Sequence, residues 1–239
     1  MGFIINKDDR KSAELLDCGS FGLEKENLRI DENGNTQEVF SNRIMFPICD
    51  EKGNILSFAG RGIKDEQPKY LHTAENSLFQ KKELLYNYSN AKSLSYNNEL
   101  ILVEGYMDVV GAKKIGFENV AALMGTAITP EHIKLIKNNR SSITLALDND
   151  FDKQEDIGRA KMLQHIPVLL NEGFKVDVID FSKIGDYKDF GVLGEKEIPF
   201  MEVQKAKTSG FSFLLDYKYF NNLELNVENI SLAYKQLNN

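Results

Sequence analysis

The sequence predicts an α/β protein built around a parallel four-stranded sheet with flanking helices. Three observations support this prediction. Short apolar runs alternate with helical patterns between residues 100 and 179, an order typical of parallel sheets that are covered by helices. Upstream, residues 43–63 show a hairpin pattern within an N-terminal mixed α/β subdomain expected over residues 1–95. Downstream, residues 191–239 are predicted to form a short helical C-terminal segment.

Length and composition limit the possible classes of protein. The chain has 239 residues, enough for one large domain or two modest ones. Its net charge of −7 excludes a uniformly basic nucleic-acid coat but permits a local basic patch. No apolar run approaches the roughly 18 residues of a membrane span, so no membrane partner is expected. The two cysteines, Cys18 and Cys49, form neither a zinc motif nor a disulfide framework, and a cytoplasmic location is expected.

The N-terminal half contains turn and hairpin signals. Asp31–Asn35 predicts a turn, and Asp50–Asn54 is predicted to join two strands. A helix is predicted from about Lys81 to Lys92. These elements make up the predicted N-terminal subdomain.

The following elements alternate strictly. Thr129 is a good N-cap for a helix that begins at Pro130, because proline suits the first helical position. Pro167 is expected to kink or split the longest helix. The predicted order is strand Leu100–Val103, helix Met107–Ile115, strand Val120–Leu123, helix Pro130–Lys137, strand Ile143–Leu147, helix Gln154–Asn171 and strand Lys175–Ile179.

Acidic residues follow three of the predicted strands. Because ligands bind beyond the carboxyl ends of parallel strands, we expect these acids to converge. Clustered carboxylates repel one another unless a cation neutralises them, and oxygen ligands suit Mg²⁺ or Mn²⁺. A set of solvated helix caps is the alternative interpretation. The acids are Glu104 with Asp108 one helical turn later, Asp148 and Asp150, and then Asp186 and Asp189.

Several strings resemble a known family. "VEGYMDVV" at residues 103–110, "ALDND" at 146–150 and the later "GDYKD" resemble the Toprim domain, a Rossmann-like fold of bacterial primases, topoisomerases and some nucleases. The segments at residues 43–61, 68–81 and 122–133 are similar to the RNA-polymerase core of DnaG-type bacterial primases. The resemblance implies a Toprim catalytic subdomain over residues 96–190. It also implies an N-terminal subdomain with a basic surface that binds nucleic acid and nucleotides.

The resemblance implies roles for individual residues. Glu104 matches a metal ligand and candidate general base, while Asp148 and Asp150 match catalytic acids that bind Mg²⁺ or Mn²⁺. Asp186 and Asp189 are the best matches for the acids after the fourth strand, and Asp108 can join the same metal site. The positions that match phosphate-binding residues for template or nucleotide are Arg43, Arg61, Lys69 and Lys81.

The sequence also departs from the family pattern. Ala59 and His72 replace a usual glycine and asparagine, and Lys188 replaces a usual proline. The family glycine that follows the paired aspartates comes late here, as Gly158. These departures affect the expected details of nucleotide binding more than the expected metal site.

The implied function is DNA-dependent RNA primer synthesis, a nucleotidyl transfer. Single-stranded DNA template and NTPs would be the partners, with Mg²⁺ or Mn²⁺ as cofactor. Complete primases also carry a zinc-binding domain and a helicase-binding domain, and neither is visible here, so a replicative helicase would bind through a domain that this sequence does not show. Two alternatives stay open: a Toprim nuclease or topoisomerase-related DNA-processing enzyme of a mobile element, and a non-catalytic DNA-binding Toprim module.

Overall fold

The structure is a computed structural model with two compact units. One comprises Met1–Cys49 with Asn54–Phe79, and the other comprises Asp50–Gly53 with Gln80–Asn239. The turn predicted at Asp31–Asn35 falls outside the described residues. The structure describes residues 3–5, 28–30, 36–38, 40, 42–75, 79–94, 98–125, 127–149 and 157–220.

The described strands of the first unit form two antiparallel sheets. The larger sheet has the order β1-β4-β5-β6, and β2 pairs with β3. Strands β4 and β5 pair from Arg43 opposite Gly62 to Cys49 opposite Ile55, which confirms the predicted hairpin. The strands are β1 (Phe3–Ile5), β2 (Leu28–Ile30), β3 (Thr36–Glu38), β4 (Arg43–Cys49), β5 (Ile55–Gly62) and β6 (Tyr70–His72).

The second unit is built on a sheet with the described order β11-β10-β9-β7-β8. Its four strands from β7 to β10 are parallel, as predicted. In chain order its elements are α1 (Tyr88–Ser93), β7 (Glu99–Val103), α2 (Tyr106–Lys114), β8 (Val120–Ala122), α3 (Pro130–Lys137), β9 (Ser142–Leu145), α4 (Ile157–Asn171), β10 (Lys175–Ile179), α5 (Phe190–Glu195), α6 (Phe200–Lys205), β11 (Lys207–Ser209) and α7 (Gly210–Phe220).

The structure adds one element that the sequence did not predict. The C-terminal segment is not purely helical, because β11 pairs antiparallel with β10 and adds a fifth strand. A strand of three residues is too short to leave a periodic pattern in the sequence. Helix α4 contains Pro167 and is not split there, and Ile166 and Leu169 on either side of the proline belong to one hydrophobic core. The N-cap at Thr129 is confirmed: its Oγ1 accepts a hydrogen bond from the His132 N–H at 3.1 Å.

The predicted helix over Lys81–Lys92 is divided. A 3₁₀ turn at Lys81–Glu83 precedes α1, and Tyr86 between them makes an isolated bridge with Ala122. Leu85, Tyr88 and Ala91 belong to the core cluster that also contains β7 residues. These residues therefore belong to the same compact unit as the parallel sheet, a unit that comprises Asp50–Gly53 and Gln80–Asn239.

Strand β7 lies between β8 and β9, and Leu100–Val103 is buried throughout, as its continuous apolar run predicts. Leu100 and Leu102 pack into the core cluster together with Ile143 and Leu145 of β9. This packing fixes the position at which β7 ends. None of the helices in the described ranges is both long enough and apolar enough to span a bilayer.

A pair of glycines brings α2 and α5 into backbone contact. A Cβ on Gly111 would lie 2.0 Å from the Phe190 carbonyl oxygen, and one on Gly194 would lie 2.5 Å from the Gly111 Cα. Only glycine permits this approach. The contact sets the position of the first turn of α5 relative to α2.

We expect Gly111→Ala to destabilise the protein by about 1–3 kcal/mol, because the added methyl group overpacks a backbone contact. This penalty exceeds the ~1 kcal/mol by which alanine favours a helix over glycine. Gly125→Ala is the control, since nothing lies within 4 Å of its added Cβ. Urea unfolding of both variants measures the difference. Equal stability of the two variants would contradict the close packing of α2 on α5.

Candidate metal centre

Three carboxylates meet beyond the carboxyl ends of the parallel strands. Asp108 lies in the first turn of α2, Asp148 follows β9, and Asp189 is the N-cap of α5. One ligand oxygen from each lies within 4.8 Å of the others. We call these three residues the aspartate group. Neighbouring parallel strands end at the same edge of the sheet, which is why residues distant in sequence converge here.

Backbone N–H groups orient two of the three carboxylates. Asp108 accepts a hydrogen bond from Gly105 N at 2.9 Å and another from Gly191 N at 3.3 Å. Asp189 accepts one from Val192 N at 2.8 Å, which caps α5. The Gly191 contact depends on the close packing of α2 and α5. The helix packing and the orientation of Asp108 are therefore one structural feature.

Two lysines pair with acids at this edge. Lys161 Nζ, on α4, lies 3.2 and 3.1 Å from the two carboxylate oxygens of Glu104. Lys188 Nζ lies 3.3 Å from Asp148 Oδ2. Lys188 is the residue that stands where the family usually has proline. Glu104 thus lies beside the aspartate group, close enough to repel Asp148, but its carboxylate is held by an ammonium group.

Burial and repulsion raise the pKa values of two aspartates. Burial is the largest cause for Asp108, which is 8% exposed; the charges of Asp148 and Asp189 add to it and raise its pKa to about 8. Burial also raises the pKa of Asp148 to about 6, with added repulsion from Glu104 and Asp189 and partial compensation by Lys188. This negative charge and the oxygen-only donor set fit a hard divalent cation. The arrangement indicates divalent metal binding.

Gly158 connects α4 to this edge. A Cβ on Gly158 would lie 1.6 Å from the Asp148 carbonyl oxygen, so the backbone of α4 touches the backbone of the β9 loop. The glycine that comes late in the sequence is therefore next to Asp148 in space. Lys161 lies three residues further along the same helix and shares its face. The sequence alone did not indicate a role for Lys161, because that role depends on where Gly158 lies in the folded protein.

The remaining predicted acids are placed differently. Asp186 is exposed and lies outside the aspartate group. Asp150 falls outside the described residues. Of the two acids proposed after the fourth strand, the structure brings Asp189 to the group because Asp189 caps a helix that packs on α2.

The four predicted phosphate-binding residues also differ in their surroundings. Arg43 is 4% exposed, and its guanidinium donates to the carbonyls of Gly60, Pro68 and Gln67, a geometry that favours a structural role over phosphate contact. Arg61 lies 5.8 Å from the ring centroid of Tyr70 and is half-buried. In contrast, Lys69 is exposed, and Lys81 begins the 3₁₀ turn before α1.

Comparison with known proteins finds a matching family in each half of the chain. Residues 6–92 match the family described as the DNA primase catalytic core, N-terminal domain. Residues 98–180 match the Toprim domain. A DNA primase of Staphylococcus aureus is 42% identical over 152 residues, which is 63% of this chain and 24% of that protein. The chain thus spans about a quarter of the length of this curated relative.

Solved structures of primases are also similar to this chain. The zinc-binding and RNA-polymerase domains of Aquifex aeolicus primase match with a TM-score of 0.69 at 26% identity, over 94% of this chain and 57% of that chain. A DnaG primase catalytic domain bound to single-stranded DNA matches with a TM-score of 0.65 at 25% identity, over 89% of this chain and 63% of that chain.

The raised pKa values predict how stability depends on pH. In the folded, metal-free protein Asp108 and Asp148 hold their protons above the ordinary value of 3.8. The folded state therefore binds more protons than the unfolded state between about pH 4 and pH 8, and the free energy of unfolding falls as pH rises through this range. Asp108→Asn should raise metal-free stability at pH 8 by up to a few kcal/mol and weaken Mn²⁺ binding.

Urea unfolding at pH 5 and pH 8, with chelator and with Mn²⁺, measures this effect. Saturating Mn²⁺ should restore most of the stability lost at pH 8, because ligand binding favours the folded state. Glu195→Gln is the matched control, since it removes an exposed acid from the last residue of α5. A metal-free protein with equal stability at both pH values would show that the aspartate group is not repulsive.

Proposed function

We propose that this chain catalyses DNA-dependent synthesis of RNA primers, because residues 6–92 match the N-terminal domain of the DNA primase catalytic core and residues 98–180 match the Toprim domain. The reaction is a nucleotidyl transfer. The 3′ hydroxyl of the growing primer attacks the α-phosphate of an NTP, a new P–O bond forms, the bond to the β-phosphate breaks and pyrophosphate leaves. The aspartate group is the observation that supports this proposal best, since it provides a cation site at the edge where Toprim-type chemistry is expected.

The proposed cofactor is Mg²⁺ or Mn²⁺. Asp108, Asp148 and Asp189 would hold it, because their oxygens already converge and Lys188 offsets the charge of only one of them. A divalent ion bound there would lower the pKa of the attacking hydroxyl and offset charge on the triphosphate. Asp150 remains a proposed ligand from the family resemblance alone. The exposed position of Asp186 makes it the weaker of the two candidates after the fourth strand.

Glu104 is proposed as the group that takes the proton from the 3′ hydroxyl. It directly follows β7, whose four buried residues fix its position at the sheet edge. Lys161 holds the carboxylate by both oxygens and so restricts its orientation. A carboxylate oxygen keeps a second lone pair when it accepts one hydrogen bond, and that lone pair can accept the proton.

The proposed partners are single-stranded DNA and NTPs. Phosphate contacts position a nucleic acid without reading its sequence, and lysine and arginine side chains provide many of them. Arg61, Lys69 and Lys81 are the candidates, whereas the guanidinium of Arg43 is occupied by backbone carbonyls. Single-stranded DNA is bound by one of the similar primase catalytic domains, which supports the same class of ligand here.

We expect Glu104→Gln to abolish primer synthesis, because the amide keeps the size of the side chain but cannot accept a proton. Synthesis is measured as labelled RNA formed from NTPs on single-stranded DNA with Mg²⁺ or Mn²⁺. Glu172→Gln, which alters an exposed ion pair with Lys137, is the control and should retain activity. Wild-type protein that cuts or relaxes supercoiled plasmid but makes no RNA would favour a nuclease or topoisomerase instead.

We expect Arg61→Ala, Lys69→Ala and Lys81→Ala to weaken binding of single-stranded DNA. Each lost phosphate contact should reduce the slope of log affinity against log salt by about 0.7. Fluorescence anisotropy with a labelled oligonucleotide at several salt concentrations measures both effects. Lys137→Ala removes the same charge from α3 and serves as the control. Affinities insensitive to salt and to all three substitutions would contradict a phosphate-binding role for these residues.

A further inference from the structure

The acids at the sheet edge differ in what holds them, because Glu104 forms an ion pair with Lys161. Both oxygens of Glu104 contact the ammonium group, and the two side chains are only 16% and 18% exposed. The aspartate group is held mainly by backbone N–H groups, with one ammonium contact at Asp148. Glu104 is therefore engaged by a cation of the chain itself, whereas the aspartate group retains unneutralised charge.

We propose that Lys161 holds Glu104 out of the metal-ligand set and supplies the positive charge at that position, so that a divalent ion binds on the aspartate group without Glu104. Lys161 is thus a positioning residue for the proposed reaction, acting through Glu104. The inference deepens the proposed function and depends on the metal site described there. It assigns different tasks to acids that the family resemblance treats as one ligand set.

The charges of the described residues support this division of tasks. Glu104 and Lys161 neutralise each other, and Lys188 offsets one of the three carboxylates of the aspartate group. Ionisation of these three aspartates therefore leaves two negative charges on the described part of the group, and these charges attract a divalent ion. While Glu104 is paired with Lys161, it adds no net charge to this attraction.

The partial burial of the pair also opposes transfer of Glu104 to a metal. If Glu104 turned towards a divalent ion, the Lys161 ammonium group would lose its partner, although the Lys161 side chain is only 16% exposed. A poorly solvated charge without a partner is unfavourable. The backbone at Lys161 cannot easily move with Glu104 or away from it, because Gly158 fixes the start of α4 against the Asp148 carbonyl. The position of the ammonium group is thus set by backbone packing.

Titration of the metal-free protein with Mn²⁺ tests the inference without any activity assay. Electron paramagnetic resonance counts free Mn²⁺, and therefore bound ions, at one fixed pH for all variants. Glu104→Gln should bind as many ions as wild-type protein, with less than a tenfold loss of affinity. Lys161→Met frees Glu104 and should bind an additional ion or bind Mn²⁺ at least tenfold more tightly than wild type. The double variant Lys161→Met with Glu104→Gln should lose this gain.

Two controls distinguish the role of Lys161 from its charge and from its effect on folding. Lys137→Met removes one positive charge from an exposed ion pair on α3 and should bind Mn²⁺ as wild type does. Lys161→Arg keeps a cation and should bind as many ions as wild type does. If circular dichroism shows that Lys161→Met is unfolded, Glu104→Gln and Lys161→Arg still decide the question.

Either of two results overturns the inference. One is a tenfold or greater loss of Mn²⁺ affinity in Glu104→Gln, which would make Glu104 a ligand in the wild-type protein. The other is a folded Lys161→Met that binds the same number of ions as wild type with the same affinity. Failure of the proposed function would be a different result. In that case the wild-type protein would make no RNA, whatever number of ions it binds.

Discussion

Repulsion between carboxylates at the carboxyl edge of the parallel sheet is the constraint on which the second unit depends. Asp108 and Asp148 are buried beside like charges, and this raises both of their pKa values. Such an arrangement persists only if the surrounding packing is stable enough to maintain it. The fully buried strand β7 and the glycine contact between α2 and α5 provide that packing.

Much of the fold could be predicted because local sequence and tertiary structure agree. The helix at Pro130–Lys137 and the strand at Lys175–Ile179 have the bounds that capping and apolar patterns indicate. The short β11 could not be predicted, since its pairing with β10 depends on a tertiary contact. Helix α4 continues through Pro167 because core packing of its neighbours outweighs the loss of one backbone hydrogen bond.

The candidate site was predictable only in part, for a similar reason. Position after a strand was enough to place Asp148 and Asp189 at one edge, and the structure brings them together with Asp108. Position could not distinguish Asp189 from Asp186, because the difference lies in which acid caps a helix packed on α2. It also could not identify Lys161, whose location depends on the contact between Gly158 and the Asp148 backbone.

The acids elsewhere in the same sheet show that close pairing is possible in this fold. Near the opposite end of the parallel strands, Glu99 accepts a hydrogen bond from Thr144 and pairs with Lys207, which also lies 3.4 Å from Asp177. There one lysine from β11 pairs with two acids, and the network connects four strands, β7, β9, β10 and β11. At the carboxyl edge, Asp108 and Asp189 are instead held by backbone N–H groups, which orient a carboxylate without neutralising it. An edge that kept its acids only for stability would gain from a lysine beside Asp108, so the contrast between the two ends supports a cation from solution as the partner of the aspartate group.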